Sequence, residues 1–135
     1  MRIGHVRERH APAGAPWRLA VAAAGTGAVA APRQWLDAEV VRRRLIAADP
    51  RREHNAVLFR QPLTTTDELL ARGLRLAALG ELLEGFAAAG GPRGGDDDAV
   101  LDPADLAFGP PILRPPAFRD FYVFERHVRT MWERR

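Results

Sequence analysis

Thr65-Thr66-Asp67-Glu68-Leu69-Leu70-Ala71-Arg72-Gly73-Leu74-Arg75-Leu76-Ala77-Ala78-Leu79-Gly80-Glu81-Leu82-Leu83-Glu84-Gly85-Phe86 reads as the stretch that carries the fold. Thr65, with Glu68 three residues later, makes a capping box that starts a helix. Leu69, Leu70, Leu74, Leu76, Leu79, Leu82, Leu83 and Phe86 then recur at helical spacing and give it a broad apolar surface. Burying one such side chain is worth about 1.5–3 kcal/mol, so this helix is expected to hold the front of the chain together. Gly73 and Gly80 weaken it by about 1 kcal/mol each relative to alanine and leave room for close packing. Leucines in this pattern are core or interface, not a cofactor site.

Working back from that helix, the spacing of Trp35, Leu36, Val40, Val41, Leu45 and Ile46 predicts another helix, beginning near Pro32 and stopped by Asp49-Pro50. Arg42, Arg43 and Arg44 fan across its polar side. They read as a solvated face rather than a nucleic-acid patch, because Asp37, Glu39 and Asp49 dilute them and no aromatic residues interleave to stack bases. His54 falls in a loop, and Val57-Leu58-Phe59 is either a short strand or one turn. At the start, Met1-Arg2-Ile3-Gly4-His5-Val6-Arg7 alternates as a short strand does, until Pro12, Gly14 and Pro16 break it. Trp17–Ala24 and Ala28–Ala31 flank Gly25-Thr26-Gly27 and suggest a hairpin. The same region mimics a secretory signal with a small-residue cleavage site, but its apolar centre is interrupted and poor in leucine.

Composition narrows the class. The 135 residues are 47% hydrophobic, enough for one ordinary domain with a core. There is no cysteine, which excludes disulfide and thiolate chemistry and gives no sign of an oxidising compartment, so a cytoplasmic location is expected. All 20 basic residues are arginine, and the formal net charge is only +3, so the sequence pI of 10.8 overstates the field at neutral pH. No apolar run approaches the roughly 20 residues needed to span a bilayer. Neither a nucleic-acid nor a membrane partner is expected.

Beyond the leucine-rich helix, Gly90-Gly91-Pro92-Arg93-Gly94-Gly95-Asp96-Asp97-Asp98 reads as a flexible linker. Its aspartates lack the alternating ligands and closing glutamate of a calcium loop, and contiguous acids of this kind are expected to be solvated. Pro103 to Pro116, with five prolines, reads as an extended connector to the last segment. There, Phe121, Phe124, Val128, Met131 and Trp132 form one apolar stripe on a helix. Asp120 and His127, seven residues apart, project along the edge of that stripe, with Cα atoms ~10 Å apart along the axis. That spacing suits opposite ends of a small ligand. Tyr122 joins them only if Asp120 sits just outside the first turn, which the preceding Pro115-Pro116 favours.

Asp120-Phe121-Tyr122, four further residues and then His127, behind a proline-rich lead and Phe118, resembles the active-site entry of the fumarylacetoacetate hydrolase family. A weaker similarity to the leading region of bacterial members runs from Trp35-Leu36-Asp37 to Gln61-Pro62-Leu63. The resemblance implies that Asp120 is a carboxylate ligand of a divalent metal (Mg²⁺, with Ca²⁺ or Mn²⁺ as alternatives), that Tyr122 contacts substrate, and that His127 activates a water for carbon–carbon bond cleavage. It also implies a small-molecule oxo-acid substrate and a homodimer when the protein is complete. In that family a Glu-x-Glu pair and a later Asp on a β-rich domain supply the other metal ligands, and no Glu-x-Glu occurs here. The resemblance thus covers a front portion and only the threshold of the catalytic domain.

The expected architecture is α+β. A small β-hairpin and packed helices form an amino-terminal domain over 1–89, a Gly/Asp/Pro-rich linker covers 90–116, and 117–135 begins a truncated catalytic domain. The expected function is that of a fragment of a metal-dependent hydrolase acting on a β-diketo or acylpyruvate acid, inactive as this short chain, with oxo-acid decarboxylase or isomerase as alternatives within the family. The competing class is a non-enzymatic helical module whose leucine face and arginines bind an acidic partner.

Overall fold

The structure is a computed structural model that describes residues 1–22, 34–92 and 97–114. Within these, the chain is mixed α/β, with one five-stranded antiparallel sheet and four α-helices. The strands are β1 (Arg2–Glu8), β2 (Arg18–Ala22), β3 (Trp35–Asp37), β4 (Val100–Leu101) and β5 (Leu106–Gly109), and they lie in the order β4-β3-β2-β1-β5. The helices are α1 (Ala38–Ala48), α2 (Arg52–Asn55), α3 (Thr66–Ala71) and α4 (Ala78–Ala88).

The strand order forces the shape of the sheet. β4 and β5 occupy opposite edges, which in a flat sheet would stand ~19 Å apart, four strand spacings. Only residues 102–105 join them, and Pro103–Asp105 is a 3-10 turn, so the connection spans nearer ~12 Å. The sheet must therefore curl, bringing its edges together. Arg9, just past β1, holds the bridge in place by donating its backbone N–H to the Asp105 carbonyl at 2.8 Å and its Nε to the Ala104 carbonyl at 3.1 Å.

Side chains on the concave face obey that curvature. Val6, Ala20, Leu101 and Leu106 bury together there with Trp35 packed against them. Gly4 pairs with Ala20 across β1 and β2, and the two leave space for aromatic rings from strands farther out. Trp35 of β3 and Phe108 of β5, with two strands between them, meet with ring centroids 5.2 Å apart and planes tilted by 56°. A Cβ added at Gly4 would touch the Trp35 ring at 3.6 Å, an ordinary contact.

The convex face packs on the helices. Leu19, Val21 and Leu36 join Val41 and Leu45 of α1, Leu69 of α3, and Leu79, Leu82 and Phe86 of α4 in the main core. Two expectations are corrected here. Trp35, Leu36 and Asp37 are strand, not helix, and α1 begins at Ala38, because the Asp37 carboxylate accepts the Glu39 and Val40 amides and caps it. The single leucine-rich helix is two. Gly73 takes φ +73°, the Leu74 amide bonds back to the Leu69 carbonyl at 3.0 Å, and the Gly73 amide bonds back to Leu70 at 2.9 Å. This Schellman geometry ends α3 after six residues, and the same pattern at Gly90 and Gly91 ends α4. The expected cap at Thr65 is present, its hydroxyl accepting the Glu68 amide at 3.2 Å.

The linker and connector readings change as well. Residues 100–101 and 106–109 are β4 and β5, hydrogen-bonded into the sheet rather than free-running connector. Asp97 is buried, not solvated: it pairs with Arg44 at 2.8 Å and accepts the Ala99 amide. The arginine triplet is likewise not a uniformly solvated face. Arg42 is buried and grips both oxygens of Glu39 at 2.8 Å while donating to the Phe59 carbonyl at 2.7 Å. Glu39 also accepts the Leu63 amide. Burial pushes the Glu39 carboxyl up, but the Arg42 hydrogen bonds, the Leu63 amide and the charges of Arg42 and Arg43 outweigh it and hold the group below its usual range. The turn at Gly25-Thr26-Gly27 and the second arm of the expected hairpin lie outside the described residues. The first arm contains β2, which pairs with β1 and β3.

Two expectations about stability follow. Ala20→Leu overfills the concave face and should cost about 1–3 kcal/mol in denaturant unfolding, whereas Gly4→Ala should be tolerated, since its new methyl meets only ordinary contacts. Glu39→Ala should cost about 2–4 kcal/mol by the same measurement, because it strands a buried guanidinium and the Leu63 amide.

Candidate functional site

Asp120, Tyr122 and His127, the residues singled out by their spacing, lie outside the described residues, as does the apolar stripe between them. What the structure does show is how the body of the protein holds the chain that leads into them. Residues 110–114 follow β5 and run past the first turn of α3, where three side chains from two elements take hold of their backbone.

The first is His5 on β1. Strand alternation turns Ile3, His5 and Arg7 to the helix-covered face, and His5 there is wholly buried. Its Nε2 accepts the Thr66 backbone N–H at 3.1 Å, and its Nδ1 lies 2.7 Å from the Pro110 carbonyl oxygen. An amide can only donate and a carbonyl can only accept, so these partners assign the neutral tautomer with the proton on Nδ1. The second is Thr66, the first residue of α3, whose hydroxyl donates to the Pro111 carbonyl. The third is Asp67, whose two carboxylate oxygens accept the successive amides of Leu113 and Arg114 at 2.8 and 2.7 Å.

These contacts match the chemistry of the segment. Pro110 and Pro111 have no N–H to offer, and the body binds their carbonyls; Leu113 and Arg114 do, and the body supplies a carboxylate. The amide of Leu113 foremost, against some desolvation and with help from the amide of Arg114, holds the Asp67 carboxyl below its ordinary value.

Alongside the anchored segment lies an open cleft of about 1020 Å³, bordered by Arg7, Trp17, Thr65, Leu70, Ile112 and Arg114. Trp17 is backed by β5: a Cβ at Gly109 would come to 3.0 Å from its ring, so glycine there lets the indole lie against the strand. The Arg7 guanidinium sits 4.6 Å from the centre of that ring, a cation–π contact. The cleft therefore offers an aromatic surface with the Arg7 charge over it, and Asp67 and Glu68 also line it.

The described residues contain no group of three or more histidines and acids that could hold a metal ion. The implied metal has only Asp120 in this sequence as the carboxylate that the resemblance assigns to it. A hard divalent cation takes about six oxygen ligands, so that one carboxylate does not make a site. Among the described residues no helix is long and apolar enough to cross a membrane.

Sequence reading missed His5, Thr66 and Asp67. The alternation of β1 put His5 on one face with Ile3 and Arg7, without saying which face is covered, and the capping box put Thr66 and Asp67 in a first helical turn. Nothing local linked either to residues 110–114, between 45 and 105 positions away.

Because the carboxyl of Asp67 is depressed, its contribution is present above the unfolded value and disappears as pH falls through the folded one. The Leu113 and Arg114 amides should therefore stay protected from exchange at about pH 4, where an ordinary carboxylate is half protonated, and lose that protection only as pH falls further, as followed by hydrogen-exchange mass spectrometry or NMR.

No family model, no curated protein and no solved structure matches this chain.

Proposed function

We propose that this chain carries the amino-terminal portion of a fumarylacetoacetate hydrolase family protein, whose activity is metal-dependent hydrolysis of a carbon–carbon bond in a β-diketo or acylpyruvate acid. The observation that carries the reading is the spacing Asp120-Phe121-Tyr122 to His127 behind a proline-rich lead. In this reading Asp120 is a metal ligand, Tyr122 orients the oxo-acid and His127 takes a proton from the attacking water, a role suited to an imidazole near neutral pH. The remaining metal ligands are supplied from outside these 135 residues, and the chain by itself is not expected to turn over.

The anchored segment at 110–114 supports the reading. A body that spends buried and charged side chains on the backbone just ahead of the motif is suited to presenting it. The alternative of a helical interaction module loses its main feature, because Leu69, Leu79, Leu82 and Phe86 are committed to the protein's own core. Its arginines are also widely engaged, Arg42 with Glu39, Arg44 with Asp97 and Arg72 with Glu68.

The test is turnover of an acylpyruvate by the complete gene product with Mg²⁺ present, followed by loss of the enol absorbance and by identification of the products. Two acids from one substrate indicate hydrolysis, carbon dioxide indicates the decarboxylase alternative, and an unchanged mass indicates isomerisation. His127→Ala should lower kcat by about 10²–10⁴-fold while metal affinity by calorimetry stays within about twofold. Asp120→Ala should weaken the metal first. Loss of metal on removing His127, or no conversion of any oxo-acid by the wild-type protein, would contradict the assignment.

A further inference from the structure

We propose that His5, Thr66 and Asp67 are positioning residues that set where, and in which direction, the chain leaves the body at Arg114 toward the segment bearing Asp120 and His127; the functional part of this proposal rests on the hydrolase reading. Four hydrogen bonds carry it, and all of them end on backbone atoms of Pro110, Pro111, Leu113 and Arg114. They are independent of the side chains at those positions.

The segment has little else to hold it. The half-buried Leu113 and the exposed Pro110, Pro111, Ile112 and Arg114 contribute nothing to either apolar cluster, so burial does not fix their path. The two prolines lock their own φ angles, which leaves a stiff strut that a few hydrogen bonds can orient. At one end of the strut His5 is fully buried with both ring nitrogens engaged. At the other, Asp67 grips two consecutive amides with separate oxygens, a two-point contact that fixes the orientation of the peptide as well as its position. His5 belongs to the central part of the sheet, and Thr66 and Asp67 belong to α3. His5 and Thr66 are bonded to each other, so strut, strand and helix are tied at one junction.

Catalytic groups displaced by about 1 Å can lose about a hundredfold in rate, so a strut six residues ahead of Asp120 is a point at which activity is set without contact with substrate. The test uses the complete gene product and three variants. Asp67→Ala should speed exchange of the Leu113 and Arg114 amides at least about tenfold and lower the unfolding temperature by only about 3–8 °C, leaving the protein folded at the assay temperature. It should lower kcat about tenfold with KM within about twofold, and Asp67→Asn, which keeps one acceptor oxygen, should fall between Ala and wild type. His5→Asn, which keeps a donor toward Pro110 but removes the acceptor for Thr66, should shift the same amides. In the wild type, ¹⁵N NMR should find the His5 proton on Nδ1.

Faster exchange with kcat unchanged in an active protein overturns the positioning role. Unchanged exchange in Asp67→Ala, or a proton on Nε2 of His5, overturns the clasp itself. If the wild-type protein converts no oxo-acid, the hydrolase reading fails and takes the catalytic part of the proposal with it, while the exchange result still decides whether the clasp exists.

Discussion

The constraint on which the rest depends is a short piece of chain. Residues 102–105 join the two edge strands of a five-stranded sheet, and four residues cannot reach across a flat one. Curling follows, and with it a division of labour between the two faces. The concave side has room for Gly4, Ala20 and Val6 beneath a Trp35–Phe108 pair, and the convex side takes the helices. Edge strands that would otherwise present unpaired amides are brought toward one another, with Arg9 bonded to the bridge between them.

The helix layer meets that curved surface in short pieces. A single helix through Gly73 would keep the leucines on one straight stripe; the Schellman turn instead lets α3 and α4 bring Leu69 and Leu82 into the same core from separate directions. Polar side chains then lock the pieces together. Asp37 caps α1 while pairing with Arg18 of β2, and Glu39 ties Arg42 to the Leu63 amide at the approach to α3. Arg44 reaches from α1 to Asp97, just ahead of β4. Ion pairs on open surfaces contribute little, but Asp97 and Arg42 are buried, and there the attraction within each pair offsets the desolvation cost that an unpaired charge would leave uncompensated.

The same layer connects fold to site. α3 is short because of Gly73, yet its first turn is where the outgoing chain is held, and β1 is central enough to bury His5 beneath it. The cleft beside this junction shares Trp17, stacked against glycine in β5, so the path of residues 110–114 and the shape of the cleft depend on one another. Catalytic chemistry in the proposed reading belongs to residues farther along, and the body's part is to aim them.

Short-range features were legible in the sequence by itself. The alternation in β1, the cap at Thr65, the stop at Asp49-Pro50 and the break at Gly90 each depend on interactions among neighbours a few residues apart, and each is present. The pattern Asp120, Tyr122, His127 is also a local spacing, but it lies outside the described residues. The stop at Gly73 was local too, since glycine followed by leucine is a Schellman signal, but the unbroken leucine periodicity concealed it. Only the tertiary structure decided that Leu106–Gly109 is a strand, that Arg42 and Asp97 are buried, and that His5 and Asp67 hold residues 110–114. Those outcomes come from partners tens of residues to more than a hundred residues apart in sequence, whose hydrogen bonds exist only after the sheet has curled, and no local propensity encodes them.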